Sequence, residues 1–184
     1  MQNRNVVLTG LMLVCMVLIF SATAFAAGNE VGVGIYSSSG DLGYGTKLDA
    51  QTTLGHLKNL DIVADYAHVW GLDDSATATN GNLWATAELK AKADYLGVGV
   101  RKSNGRLNAS VTIGAARSAA RATVTVGNQY GAIASASASD STTKFAWQPK
   151  LSYELGSNVS LTASYLGTGT KATSGYNLGV AYRF

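Results

Sequence analysis

Two histidines are the side chains of this 184-residue sequence best suited to acid–base or metal chemistry. His68 is followed by Val69 and Trp70, so no serine stands directly after it in the sequence. His56 falls in a predicted turn, and two histidines in such different settings make a poor metal site. The sequence therefore predicts no catalytic, cofactor-binding or metal-binding residue, and no cofactor.

The single cysteine carries no predicted chemistry either. Cys15 lies inside an apolar run, and Val14 occupies the position where a lipoprotein signal has a small residue, so no lipid anchor is predicted. Removal of this run leaves a chain without cysteine, which excludes disulfides, thiol catalysis and cysteine-based zinc sites. Asp73 and Asp74 are adjacent carboxylates without further ligands at set spacing, so we predict a solvated loop there and not a calcium site.

The charged residues of the predicted strands indicate more about the protein than the histidines or the cysteine, because they recur on one side of each strand. Six acids and six bases share the polar phase of the segments that contain them. Balanced signs favour a mutually neutralising network, because one unpartnered buried charge costs about 3–5 kcal/mol. The alternative is a narrow, charge-selective pore. The predicted network comprises Lys47, Asp49, Asp61, Asp65, Glu88, Lys90, Lys92, Asp94, Lys144, Lys150, Glu154 and Arg183.

Strands of a closed sheet are the elements that would bring these charges to one inner face. From Tyr44 to Leu54, and from Lys144 to Leu155, apolar and polar residues alternate with period two. Pro149 lies in the second stretch, where its missing N–H must be tolerated, as it is at a bulge. Eight strands are predicted, over residues 30–37, 43–54, 59–70, 83–102, 106–126, 132–155, 158–168 and 175–184.

The predicted connections between these strands are of two kinds. Tight turns lie at residues 54–59, 103–105 and 156–158, and the pair Asn104-Gly105 is typical of a type I′ hairpin. The longer connections include a solvated loop over residues 71–82. In bacterial membrane barrels short turns face the periplasm, so the longer connections are expected outside.

Several strands are longer than the ~9–11 residues that cross a membrane. The excess is largest in strands 5 and 6, which predicts a protruding hairpin that turns at residues 127–131. Strand 4 changes phase between Tyr95 and Leu96, which predicts a bulge there and would point Trp84 inward. A ten-stranded barrel with breaks near Ala93 and Ser118 is the alternative, although neither break carries a turn signal.

The first 26 residues have the pattern of a secretory signal peptide. Arg4 precedes an apolar run from Val6 to Phe20, and small residues follow, with cleavage predicted after Ala26. The run is shorter than the ~20 residues of a membrane helix. Residues 27–184 then form one predicted domain. Loss of Arg4 lowers the net charge from +3 to +2, which gives no reason to expect a nucleic-acid partner.

The last strand alternates large apolar residues and ends on an aromatic. It resembles the terminal strand of bacterial outer-membrane barrels, and that resemblance implies recognition by the barrel-assembly machinery. Over its whole mature length the chain is similar to small eight-stranded barrels of the opacity-protein and OmpX/OmpA type. A water-exposed periplasmic β-sandwich fits less well, because the outward faces are too uniformly apolar. The assembly residues are Tyr176, Leu178, Val180, Tyr182 and Phe184.

The resemblance implies an all-β, antiparallel, up-and-down transmembrane barrel in the outer membrane of a Gram-negative-type bacterium. We expect outer-membrane lipid around it, an extracellular ligand that the sequence does not identify, and a monomer. The first functional hypothesis is a non-enzymatic barrel that serves envelope integrity or surface interaction through the strand 5–6 hairpin. The second is a narrow pore for small solutes or ions. The third is a lipid A-modifying enzyme, which His68 on the lipid-facing phase supports poorly.

Overall fold

Eight antiparallel strands close into one barrel in the computed structural model, which describes residues 29–184. Each strand pairs with its neighbours in sequence, and β8 pairs with β1. The prediction of eight strands is therefore confirmed, whereas the predicted signal peptide lies outside the described residues. The strands are β1 Glu30–Ser38, β2 Tyr44–Leu57, β3 Leu60–Asn80, β4 Leu83–Asn104, β5 Leu107–Asn128, β6 Gly131–Glu154, β7 Val159–Leu166 and β8 Gly175–Arg183.

The alternation of side chains places polar groups inside the barrel and apolar groups outside. In β2, Lys47 and Asp49 are buried while Tyr44 and Leu54 are exposed. The same outward exposure of large apolar residues recurs in the other strands, as a lipid-facing surface requires. No helix among residues 29–184 is long and apolar enough to cross a membrane.

Four strands continue beyond the barrel as one sheet: residues 71–80, 83–92, 117–128 and 131–143 of β3 to β6. We call it the extracellular sheet, because the short turns expected at the periplasm lie at the other end of the barrel. The predicted β5–β6 hairpin forms one half of it and turns at Gln129-Tyr130. The predicted loop over residues 71–82 is wrong, because β3 continues to Asn80 and pairs with β4 up to Leu83. Thr and Ala alternate there, and Gly81 supplies the positive φ (60°) of the two-residue turn.

The predicted bulge between Tyr95 and Leu96 is also wrong. The β4–β5 register runs without a shift along the whole length of β4. The irregularity lies in β3 at Trp70-Gly71, where Gly71 has φ 74°. Even-numbered residues of β4 therefore face outward from end to end, and Trp84 packs on the outer face above Gly127.

Turn and proline positions differ in detail from the sequence expectations. The turn after β4 is centred on Gly105-Arg106, not Asn104-Gly105, and the positive φ of 60° at Gly105, its first central residue, is that of a type II′ turn. Pro149 causes no register shift between β5 and β6. It lies instead in a gap of the β6–β7 ladder, where its missing N–H breaks no pairing.

The filled lumen and the extracellular sheet

Lys150 is the centre of the charge network inside the barrel. Its Nζ lies 2.6 Å from Oε1 of Glu30 and 2.8 Å from Oδ2 of Asp49, so one cation joins β6 to β1 and β2. All three side chains are only 2% exposed. Charges removed from water to this extent are tolerated when they are paired and hydrogen-bonded, and here the pairing crosses the lumen.

Neutral polar side chains complete the layer around Lys150. The Gln148 amide donates to Oδ2 of Asp65 at 2.7 Å, and the Gln51 amide donates to Oγ of Ser110 at 3.2 Å. Lys47 is fully buried, and its Nζ donates to Oγ of Ser164 at 2.9 Å across the barrel. Amides and hydroxyls thus fill the space between the charges.

A second group of charges lies near the periplasmic end of the lumen. Arg101 donates through Nε at 3.1 Å and Nη2 at 2.9 Å to one oxygen of Asp61. Arg183 pairs with Glu154 and lies 3.6 Å from Glu30. Arg101 and Glu30 were absent from the predicted network, although each lies on the polar phase of its own strand.

Apolar residues close the lumen toward the outside. Their cluster includes Leu72 and Leu166 at the extracellular end and two fully buried tyrosines, Tyr36 and Tyr95. The hydroxyl of Tyr36 donates to the carbonyl of Thr173 at 2.8 Å, which ties the β7–β8 connection over the barrel. Side chains therefore occupy the lumen from one end to the other, as expected for eight strands.

Five residues of the predicted network do not belong to it. Glu88, Lys90, Lys92 and Asp94 lie on the outward phase of β4, because the bulge that would have turned them inward is absent. Asp94 instead accepts a hydrogen bond from His68 on the outer surface, at 2.7 Å. Lys144 is exposed at the extracellular mouth and donates to the carbonyl of Gly169 at 3.3 Å. The other seven residues lie in the lumen.

Aromatic side chains form two bands on the outer surface. Tyr165 contacts the rings of Trp147 and Tyr176 near the extracellular side, with centroids 5.4 and 4.9 Å away. Tyr182 and Phe184 meet edge to face at 5.1 Å near the periplasmic end. Aromatic residues at both membrane interfaces are typical of outer-membrane barrels.

His68 stacks on Trp70 with ring centroids 5.2 Å apart, on the lipid-facing side. Its partner Asp94 also accepts a hydrogen bond from the hydroxyl of Tyr66, at 3.3 Å. No serine is hydrogen-bonded to His68 among the described residues. Within residues 29–184, no group of three or more His, Cys, Asp or Glu side chains could hold a metal ion.

The extracellular sheet has two chemically different faces. The outer face, which continues the lipid-facing surface, carries hydroxyl groups, for example Thr77 hydrogen-bonded to Thr86 at 3.0 Å. The inner face, which continues the lumen, carries mainly apolar side chains, together with Asp74 and Asp140. From the strand registers the apolar side chains include Ala76, Ala78, Ala85, Ala87, Leu89, Ala122, Val124, Ala134, Ala136 and Ala138.

The extracellular sheet also has two strand edges that no described strand covers. β2 pairs with β3 only as far as Trp70, and on the other side β6 is last covered at Trp147, which bridges to Gly167 just after β7. The edge of β6 is the longer, and between Gly131 and Thr143 it carries one charge, Asp140. Exposed edges of this kind offer backbone N–H and C=O groups to another strand.

The comparisons with known proteins agree with this architecture. A family model described as "Outer membrane protein beta-barrel domain" matches residues 12–184. The chain belongs to this family. It is an outer-membrane protein of a bacterium, and the sequence expectations of fold class and location are confirmed. A search of the curated proteins gave no match.

Solved structures show the same fold for this outer-membrane barrel. The attachment invasion locus protein Ail of Yersinia pestis, solved with the heparin analogue sucrose octasulfate, is similar with a TM-score of 0.55 at 17% identity, over 86% of this chain and 100% of Ail. A major outer membrane protein from Thermus thermophilus has a TM-score of 0.54 at 13% identity, over 86% of this chain and 100% of that protein. Identities this low establish the shared fold alone.

Proposed function

We propose that the protein is a non-enzymatic surface-interaction barrel, in which the transmembrane part anchors the extracellular sheet and the sheet contacts an external partner. The observation that carries this proposal is the pair of uncovered strand edges on the extracellular sheet. Envelope integrity alone would need only the transmembrane part. A barrel that presents four long strands outside the membrane has a platform suited to strand addition.

The β6 edge offers the better platform for strand addition. The N–H of Trp147 donates to the carbonyl of Gly167, which directly follows β7, so the odd-numbered residues of β6 direct their backbone groups toward this edge. Above Trp147 these groups reach no described strand. An extended peptide could therefore add to β6 and continue both the hydroxyl-rich face and the apolar face of the sheet.

Two variants of Ser137 test edge pairing, because they differ in whether residue 137 keeps its backbone N–H. Ser137→Pro removes an edge-directed N–H without breaking the β5–β6 ladder, whereas Ser137→Ala keeps that N–H. Bacteria that lack the protein would express each variant, and adhesion to host-cell monolayers would be counted. We expect Ser137→Ala to adhere like the natural protein and Ser137→Pro to fall to the background of cells without it. Equal adhesion of both variants at equal surface levels would overturn edge pairing.

A shortened barrel tests the wider proposal. Short turns would replace residues 73–89 and 122–138, so that the transmembrane strands remain. Adhesion equal to that of the full-length protein would contradict a surface role for the extracellular sheet. The pore hypothesis gains no support from the structure, because side chains such as Lys150, Gln148 and Tyr95 fill the lumen.

A further inference from the structure

Four cations lie together on the outer face at the base of the extracellular sheet. We call Lys90, Lys92, Arg117 and Arg121 the basic cluster. They belong to two adjacent strands and all lie on the outward phase, since Lys90 is directly opposite Arg121 and Lys92 is opposite Ala119. The cluster lines an open cleft of about 550 Å³.

Two cations of this cleft oppose each other directly, and four acids lie around the cluster. Lys90 and Arg121 lie directly opposite each other on adjacent strands. Like charges in this position repel each other and destabilise the strand pairing. Lys90 has an exposed ion pair with Glu88 at 3.3 Å, and Asp140 is the only carboxylate among the described residues that line the cleft. The other nearby acids are Asp73, opposite Lys90, and Asp94, which lies opposite Arg117 and accepts a hydrogen bond from His68 through one oxygen. An anion in the cleft would relieve the repulsion between Lys90 and Arg121.

The height of the cluster above the membrane indicates where such an anion comes from. Leu96, Ala115 and Phe145 form one row across β4, β5 and β6, and Leu96 and Phe145 are large, exposed apolar side chains at the top of the lipid-facing surface of the barrel. Arg117 lies two residues above this row and Arg121 six residues above it. With about 3.3 Å per residue and a strand tilt of about 45°, the cluster spans about 5–14 Å above the row. Lipid headgroups begin at this height.

The side chains present fit a phosphate-bearing headgroup. Arginine guanidinium groups bind phosphate oxygens through two parallel hydrogen bonds, and lysine adds a mobile point charge. Trp70 also lines the cleft, at the level of the extracellular aromatic band. We propose that the basic cluster binds the phosphate groups of an outer-leaflet glycolipid of the lipid A type, and so fixes the height of the barrel in the membrane.

A binding titration with matched variants tests this proposal. The cluster variant is Lys92→Gln with Arg117→Gln and Arg121→Gln. The control variant, Lys58→Gln with Lys102→Gln and Arg106→Gln, removes the same charge at the periplasmic end. Fluorescent bisphosphorylated lipid A would be titrated with each refolded protein in a zwitterionic detergent, and anisotropy recorded. We expect the cluster variant to bind at least tenfold more weakly than the natural protein and the control variant to stay within twofold.

Two further arms separate the sources of the anion and guard against misfolding. In the first arm, lipid A without its phosphates is titrated with the natural protein, and it should bind as weakly as bisphosphorylated lipid A binds to the cluster variant. In the second arm, inorganic phosphate at equal concentration should not compete with bisphosphorylated lipid A for the natural protein. Binding of the natural protein should also weaken as salt rises. Equal binding of phosphorylated and dephosphorylated lipid, full competition by inorganic phosphate, or equal affinities of the natural protein and the cluster variant would each overturn the proposal.

Discussion

Lys150 and Lys90 are both lysines, but one is buried in the lumen and the other is exposed on the extracellular sheet. Lys150 is 2% exposed and bridges Glu30 and Asp49 inside the barrel, whereas Lys90 is 61% exposed on the extracellular sheet and pairs with Glu88. In the lumen a charge is tolerated because fixed partners surround it. On the sheet water and salt screen the charge, so Lys90 does not need a fixed partner inside the protein. Stability therefore restricts which charged residues the lumen can hold, whereas the exposed charges of the extracellular sheet are available to bind other molecules.

Charge reversal in the lumen should produce the largest effect on stability. Lys150→Glu removes the cation and adds a third carboxylate beside Glu30 and Asp49, so we expect a loss of at least about 3–5 kcal/mol or failure to fold. Lys171→Glu changes the same charge in an exposed outer loop and should leave the unfolding midpoint nearly unchanged. Urea unfolding of both variants in one lipid measures the contrast. Equal midpoints would mean that the lumen is wet.

Loss of the periplasmic ion pair should have an intermediate effect. Arg101→Gln removes two charge-assisted hydrogen bonds to Asp61, and we expect a loss of about 1–3 kcal/mol. Lys102→Gln is the matched control, because its side chain is the next one along β4 and points outward. The same urea unfolding measures both. A control variant as unstable as Arg101→Gln would contradict the assignment of phases in β4.

Removal of the terminal aromatic should affect assembly more than stability. Phe184 is partly exposed and meets Tyr182 edge to face, so its loss costs little packing in the finished barrel. We expect Phe184→Ser to reach the periplasm but to reduce the heat-modifiable form in the outer membrane several-fold. Normal amounts of that form would count against recognition of the last strand by the assembly machinery. Refolding of the purified variant in vitro should be nearly normal.

The smallest effect is expected on the hydroxyl-rich face of the sheet. Thr77 and Thr86 share an exposed hydrogen bond at 3.0 Å, and water can replace either partner. Thr77→Ala should change stability by no more than about 0.5 kcal/mol. A loss comparable to that of Arg101→Gln would show that the extracellular sheet contributes to the folding of the barrel, which would weaken the contrast between the two regions.

The sequence predicts the barrel better than it predicts the sheet, for a physical reason. Inside the membrane one face of each strand must be apolar, so the alternation identifies Lys47, Asp49 and Lys150 as inward. Above the membrane both faces of a strand meet water, and this constraint disappears. The predicted phase of Lys90 and Lys92 is wrong for that reason. The predicted loop over the stretch of β3 beyond Gly71 is likewise wrong, because its alternating Thr and Ala residues include no large apolar residue that would mark a buried or lipid-facing side.

Part of the candidate site depends on the register between two strands, which the sequence pattern of either strand alone does not reveal. The basic cluster exists because the β4–β5 register places Lys90 opposite Arg121. The sequence shows only that both strands contain cations at every second or fourth position. Glu30 is different, because the apolar phase of Val31, Val33 and Ile35 already indicates that it faces inward.

The central claim is that the transmembrane part is an anchor with a filled lumen. A conductance measurement tests this claim most directly. The refolded natural protein would be inserted into planar bilayers at known density, with insertion verified by heat modifiability and a general porin as the conducting control. We predict no steady single-channel current in the natural protein, because Lys150, Gln148 and the apolar cluster around Tyr95 fill the lumen. Steady, reproducible current steps in the natural protein would contradict a filled lumen and favour the pore hypothesis.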